Sequence, residues 1–171
     1  MTYDPPPLLS DDDIFLFNEG THTRLYEHLG AQMRDDGTHF AVWAPDAVSV
    51  SVVGDFNGWD PERHPMLPSE AGIWKVVAPE AHPGNTYKFV LATRDGGRLE
   101  KADPYAVTAE VAPKTASVVW DPSNTWGDDE WMAGRGQHNR HDGPMAIYEV
   151  HIGSWAKKSE TESYSYRELA P

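Results

Sequence analysis

The chain of 171 residues contains no cysteine, so neither a disulfide framework nor a thiolate metal centre is open to it, which fits a reducing compartment. Basic residues are scarce: 14 Lys and Arg stand against 27 Asp and Glu, a formal charge of −13. That excess repels phosphate backbones and anionic lipid, which argues against nucleic acid and membrane surfaces as partners. No apolar run approaches the roughly 20 residues that span a bilayer, and the N-terminus lacks the basic-then-apolar order of a secretory signal. A soluble cytoplasmic protein is the expectation. Glycine-rich phosphate loops and Ser/His/Asp sets in a known motif are absent too, and no cofactor or metal is expected. In "QHNRHD", His138 and His141 are three apart, a spacing that serves a metal only on a helix. Gly134, Gly136 and Gly143 around it point instead to a mobile linker.

Aromatics are plentiful. Seven Trp and seven Tyr in a polar chain either build a core or line a surface that grips flat ligands. The lead-in "MTYDPPPLLSDDD" is Pro-rich, then acidic, with little order expected before about Ser10. Ser10 and Asp13 have capping-box spacing, with Ile14 to Phe17 as a short helix ended by Gly20. "THTRLYEHLG" suggests a second helix, with Leu25 and Leu29 on one face. From Thr38 to Asp121 the period becomes two. "THFAVWAP", "VSVSVVGDF", "GIWKVVAP", "TYKFVLAT", "GRLEKAD" and "TASVVWD" are six strand-like runs bounded by turn residues. Val48, Val50 and Val52 share one face, and Tyr87, Phe89 and Leu91 alternate in the same way. The expected fold is a small all-β antiparallel sandwich with one core. Trp43, Trp74 and Trp120, inside the runs, read as core packing. Residues 122–145 read as a linker, and "MAIYEVHIGSW" as the opening strand of a second domain, with too few residues after Trp155 to complete it. Thr38 to Asp121 is expected to fold cooperatively, and the chain from about Gly134 onward to be loosely held.

One tryptophan falls outside every alternating run. In "VVGDFNGWD", Trp59 follows a turn-forming Asn-Gly pair. It is either a lid folded over the sandwich edge or a platform. The axial C–H face of a glucose ring stacks on an indole while its hydroxyls take hydrogen bonds from the rim, and Asn57, Asp55 and Asp60 offer such groups in the same turn.

The segments "THTRLYEHLGAQ", "FAVWAPDAVSVSVVGDFNGWD", "HPM", "GIWKV", "PGNTYKF", "KADPYA", "PKTAS" and "AIYEVHIGSW", in this order, resemble the N-terminal part of bacterial 1,4-α-glucan (glycogen) branching enzymes of glycoside hydrolase family 13. The resemblance runs from about Asp13 to Leu169. It implies an N-terminal lead-in (1–37), an immunoglobulin-like carbohydrate-binding module of family 48 (38–121), a linker, and the start of a catalytic (β/α)8 barrel (146–171). In such modules the Trp of the F-N-x-W turn stacks on α-1,4-glucan and the Lys of the Y-K-F strand contacts hydroxyls. The resemblance thus implies Trp59, Lys88 and Asn57 as carbohydrate-binding residues, and glucan and the parent's barrel as partners. The family's retaining chemistry needs two carboxylates opposed across the scissile bond. In branching enzymes these lie on later barrel strands, so the chain is expected to hold no catalytic residue, with Glu149 and His151 packing at a strand edge. A second stacking Trp, present after a D-G turn in the glycogen-binding module of the AMP-activated kinase β subunit, is replaced here by Arg98 and Leu99, implying weaker binding. Two other readings belong to different classes: a free-standing glycogen-targeting module, and the N-terminal module of a debranching enzyme or a maltooligosyltrehalose trehalohydrolase.

Overall fold

Asp35 and Asp36 form a two-residue turn that sets Arg34 opposite Gly37, and the hairpin it closes opens the sandwich. Gly37 is required there, because a Cβ would lie 2.6 Å from Pro79 Cα. In the computed structural model, which describes residues 8–138 and 140–170, the chain divides into two units, Met1–Ser123 and Asn124–Pro171. The Pro-rich part of the lead-in, residues 1–7, lies outside the described residues.

The first unit begins with α1 (Asp11–Glu19). Nine strands follow: β1 (Gly30–Arg34), β2 (Gly37–Trp43), β3 (Ser49–Gly54), β4 (Leu67–Pro68), β5 (Ile73–Ala78), β6 (Thr86–Ala92), β7 (Arg98–Lys101), β8 (Thr108–Ala109) and β9 (Ser117–Val118). They pair antiparallel into two sheets, β1-β2-β5-β4 and β3-β6-β9-β8, with β7 beside the other half of β6. The all-β sandwich read from the alternating runs is the fold observed. It begins earlier than expected, since β1 occupies residues assigned to the lead-in. The second expected helix shrinks to one 3-10 turn, Leu25–Glu27, because Gly30 (φ 85°) redirects the chain into β1.

Between the sheets lie Phe40, Val50, Val52, Tyr87, Phe89 and Val119, all at most 1% exposed. Burying each is worth about 1.5–3 kcal/mol. Rings interlock there, Phe40 meeting Tyr87 edge-on at 4.9 Å and stacking on Phe56 at 5.5 Å. Val48, which precedes the first residue of β3, is 60% exposed and does not share the buried face of Val50 and Val52. A second cluster covers the outer face of the four-stranded sheet, where Leu8 and Leu9 pack with Leu29, Ala41 and Ile73. That cluster explains one correction. Trp43 is opposite Ile73 and so shares the outer face, where Phe17 meets it edge-on at 6.0 Å; it stays 54% exposed. Trp74 does pack on the inter-sheet core, its indole N–H donating to Ala44 O at 3.0 Å. Trp120, one residue past buried Val119, is half exposed and is no core residue either.

The second unit holds α2 (Asp129–His138), α3 (Ile152–Trp155) and α4 (Tyr166–Leu169). None of its described residues is buried. The segment read as a linker thus contains a ten-residue helix. His141 lies beyond its end, so His138 and His141 do not share a helical face. Residues 144–151 form no strand. A strand needs a ladder, and no described residue pairs with Tyr148 to His151.

Candidate functional site

At the end of β3 the backbone makes a close approach that only glycine permits. A Cβ on Gly54 would lie 2.3 Å from Thr86 O. The chain then turns through a 3-10 segment, Asp55–Asn57, into Gly58 at φ 67° and Trp59 at φ 61°. A non-glycine residue in this left-handed region carries about 1–3 kcal/mol of strain, and such strain gathers at functional sites. Trp59 N–H donates to Gly54 O at 3.0 Å. Its indole N–H donates to Asp55 Oδ1 at 3.2 Å, while Asp55 Oδ2 accepts from Thr86 N–H at 2.7 Å and its hydroxyl at 2.8 Å. One carboxylate therefore locks the indole to the first residue of β6. The Thr86 backbone N–H above all, then the Thr86 hydroxyl, Trp59 and the charge of Lys114, hold that carboxyl below its ordinary range against the upward push of burial. Trp59 stays 40% exposed.

Lys88 is on the face of β6 opposite buried Tyr87 and Phe89, together with Thr86, and is opposite Val53. It is half-buried, and among the described residues no hydrogen bond or ion pair engages its ammonium. Thr86 and Lys88 thus share one face of β6, and Asp55 links the Trp59 indole to Thr86 at its start. Asn57 is not with them. It is 1% exposed, and its amide is consumed inside the turn: Oδ1 accepts from Gly54 N–H at 2.9 Å, and Nδ2 donates to Val52 O at 2.9 Å and to His64 Nδ1 at 3.0 Å. The sequence expectation of a sugar contact at Asn57 is corrected to that of a strut. His64, in turn, reaches Glu80 with Nε2 at 3.1 Å.

Lys114, whose charge reaches Asp55, was missed by sequence reasoning. It pairs with Glu110 at 3.1 Å in the loop between β8 and β9. Nothing in its local spacing marks it. Beneath the face, Tyr87 OH donates to Asp103 Oδ2 at 2.5 Å and Asp103 N–H donates to Ser117 Oγ at 2.8 Å, tying β6 to β9. Burial pushes the Asp103 carboxyl up, against the bonds from Tyr87 and Tyr105. On β7, Arg98 and Glu100 pair at 3.4 Å, so that strand offers no flat ring.

Comparison with known proteins decides the family. Residues 28–106 match carbohydrate-binding module 48 (isoamylase N-terminal domain). The chain carries a family 48 carbohydrate-binding module. It is 52% identical over 171 residues to the 1,4-alpha-glucan branching enzyme GlgB of Rubrobacter xylanophilus, a match covering 96% of this chain and 24% of that protein. Identity to the enzyme of the same name from Aromatoleum aromaticum is 46%, over 95% of this chain and 26% of that one; for Corynebacterium diphtheriae it is 46%, over 96% and 23%. The chain therefore spans about a quarter of the length of these relatives and corresponds to their N-terminal, module-bearing region. Among the described residues no helix is long and apolar enough to cross a membrane.

Proposed function

We propose that the module binds α-1,4-glucan through Trp59, with Lys88 and Lys114 as hydroxyl partners, and that it serves as the glucan-holding N-terminal part of a cytoplasmic 1,4-α-glucan branching enzyme. The observation that carries the reading is the state of Trp59: strained, clamped by Asp55, and 40% exposed. A side chain held so firmly outside the core is preorganised for a ligand, and preorganisation lowers the entropy lost on binding. With its N–H taken by Asp55, the indole offers its face, which matches the apolar C–H face of glucose. The lysine ammoniums supply donors for hydroxyl oxygens.

Residues 146–171 are, in this reading, the start of the catalytic barrel. The carboxylates that cleave and transfer the glucan belong to later barrel strands, so the chain alone leaves the iodine spectrum of amylose unchanged.

One indole stacked on a sugar ring is worth about 1–3 kcal/mol, by analogy with aromatic stacking on nucleobases. Dissociation constants for maltoheptaose in the high micromolar to millimolar range are expected, roughly −4 to −5.5 kcal/mol. The test pairs Trp59→Ala with Trp59→Gly in calorimetric titrations of maltoheptaose. Both lose binding and keep the melting transition, the glycine variant matching or exceeding the alanine one in stability because it relieves the left-handed strain. Retained affinity in either variant, or an unfolded sandwich, sinks the platform.

A further inference from the structure

Away from that face, three side chains converge where α1 meets the segment leading into β1. Asp13 turns Oδ2 toward Ser10, accepting from its N–H at 2.8 Å and its hydroxyl at 2.7 Å. Oδ1 faces two imidazoles, His22 Nε2 at 3.1 Å and His28 Nε2 at 3.6 Å. The His22 side chain is 5% exposed. One ligand-capable atom from each of the three residues lies within 4.8 Å of the others.

Proton positions follow from the fixed backbone partners. Leu8 O accepts from His28 Nδ1 at 2.7 Å, so that nitrogen carries the proton and, in the neutral ring, Nε2 presents a lone pair. With Nδ1–H committed to Leu8 O, His28 Nε2 can face Asp13 Oδ1 only with a proton or a metal ion between them. Arg24 N–H donates to His22 Nδ1 at 3.1 Å, which places the proton of His22 on Nε2.

We propose that Asp13, His22 and His28 form a binding site for a divalent transition-metal ion of the zinc class. Two imidazole nitrogens and one carboxylate oxygen are a donor set for zinc rather than for calcium or magnesium, which take oxygen. With metal–ligand bonds of about 2.0–2.2 Å, tetrahedral ligand atoms stand about 3.4 Å apart; 3.1 and 3.6 Å bracket that spacing. The outer contacts hold the ligands in place. His28 Nδ1–H rests on a backbone carbonyl, which orients Nε2 toward the metal. Ser10 occupies Asp13 Oδ2, leaving Oδ1 as a single-atom ligand. Binding moves the His22 proton from Nε2 to Nδ1, and the exposed Arg24 N–H turns to water; no proton leaves the ring. Water completes the fourth position. The ion ties α1 to the chain entering β1, next to the cluster that buries Leu8, Leu9 and Leu29.

The test uses the full chain, freed of metal with a chelator, titrated with zinc and, separately, with cobalt(II). One zinc per chain is expected, with the visible absorption bands of tetrahedral cobalt. Zinc at a hundredfold of its dissociation constant raises the melting temperature by about 5 °C or more. His28→Asn keeps a donor for Leu8 O but has no Nε2, and lowers zinc affinity by about 30-fold or more. A His138→Ala/His141→Ala double variant binds as the wild type does. Wild-type binding weaker than about 1 mM, undiminished affinity in His28→Asn, or loss of the ion in the double variant each overturns the proposal.

Discussion

The same capping signal occurs in both units, and the two helices it starts fare differently. At Ser10 and Asp13 a full capping box opens α1, nine residues long, and Ile14 and Phe17 lean on a buried cluster. At Ser165 and Glu168 an equally complete box opens α4, which runs four residues with nothing buried. A cap satisfies orphan amides at the helix start and is worth about 1 kcal/mol. It does not supply the packing from which most helical stability in proteins comes. The sandwich has that packing between its sheets. The second unit has large apolar side chains but no buried residue among those described: Ile147 is 85% exposed, Tyr148 71% and Trp155 56%.

Hydrogen exchange gives the widest separation between the two regions. The amide of Val52, which donates to His64 O at 3.1 Å, and that of Phe89 in β6 belong to residues at most 1% exposed and exchange only when the sandwich unfolds. Those of Ile147 to Trp155 exchange within a few orders of magnitude of the unstructured rate, because local opening there exposes no buried surface. Equal protection of both sets in a verified monomer breaks the contrast, and points to a core that the second unit builds in solution.

Tryptophan truncation sharpens the contrast in free energy. Trp74→Ala removes a ring that packs on the inter-sheet core and a bond to Ala44 O, at a cost of about 3–5 kcal/mol in urea denaturation. Trp131→Ala, in α2, removes a ring that stacks on His138 at 5.3 Å and is 49% exposed; it changes stability by about 0.5 kcal/mol or less. Comparable losses for the two variants mean that the second unit has its own cooperative fold.

What the sequence makes legible follows the same division. Six strand-like runs foretell β2, β3, β5, β6, β7 and β9; period-two burial is clearest in β5 and the start of β6, whereas β2 is buried on both faces and β7 is exposed throughout. The run that holds β1 is obscured. "GAQMR" carries little apolar alternation, as an edge strand does, and only the acidic turn before Gly37 announces the hairpin. Trp43 and Trp120 show where alternation stops informing: the four-stranded sheet is covered on both faces, so membership of β2 does not say which face Trp43 takes, and Trp120 lies past the end of β9. At the site, Trp59 stands out by falling outside every run. Asn57 is misleading, since an Asn before Gly in a loop offers the same polar signal whether it faces a ligand or, as here, braces the turn. His22 and His28 are not legible as a pair because their meeting depends on where α1 docks.

The smallest effect concerns acid. Burial pushes the Asp13 carboxyl up, but bonds from the Ser10 hydroxyl and N–H and from His22, with His28 nearby, bring it down to about 2 from an ordinary 3.8. A carboxyl whose folded value is depressed stabilises the fold above its unfolded value, and that contribution fades as pH falls from about 4 to about 2. For a side chain 21% exposed, the screened contribution is on the order of 1 kcal/mol. Glu168 is also held down to about 2, by Lys158 first and then by Ser165, yet its helix belongs to no buried core. Melting of the sandwich in chelator, followed from pH 5 to pH 2, should therefore fall less steeply below pH 4 in Asp13→Asn than in wild type, while Glu168→Gln follows the wild-type curve. Parallel curves for all three proteins mean that the Asp13 cap is as detached from the core as the Glu168 one. The docked helix would then contribute nothing to the cooperative unit.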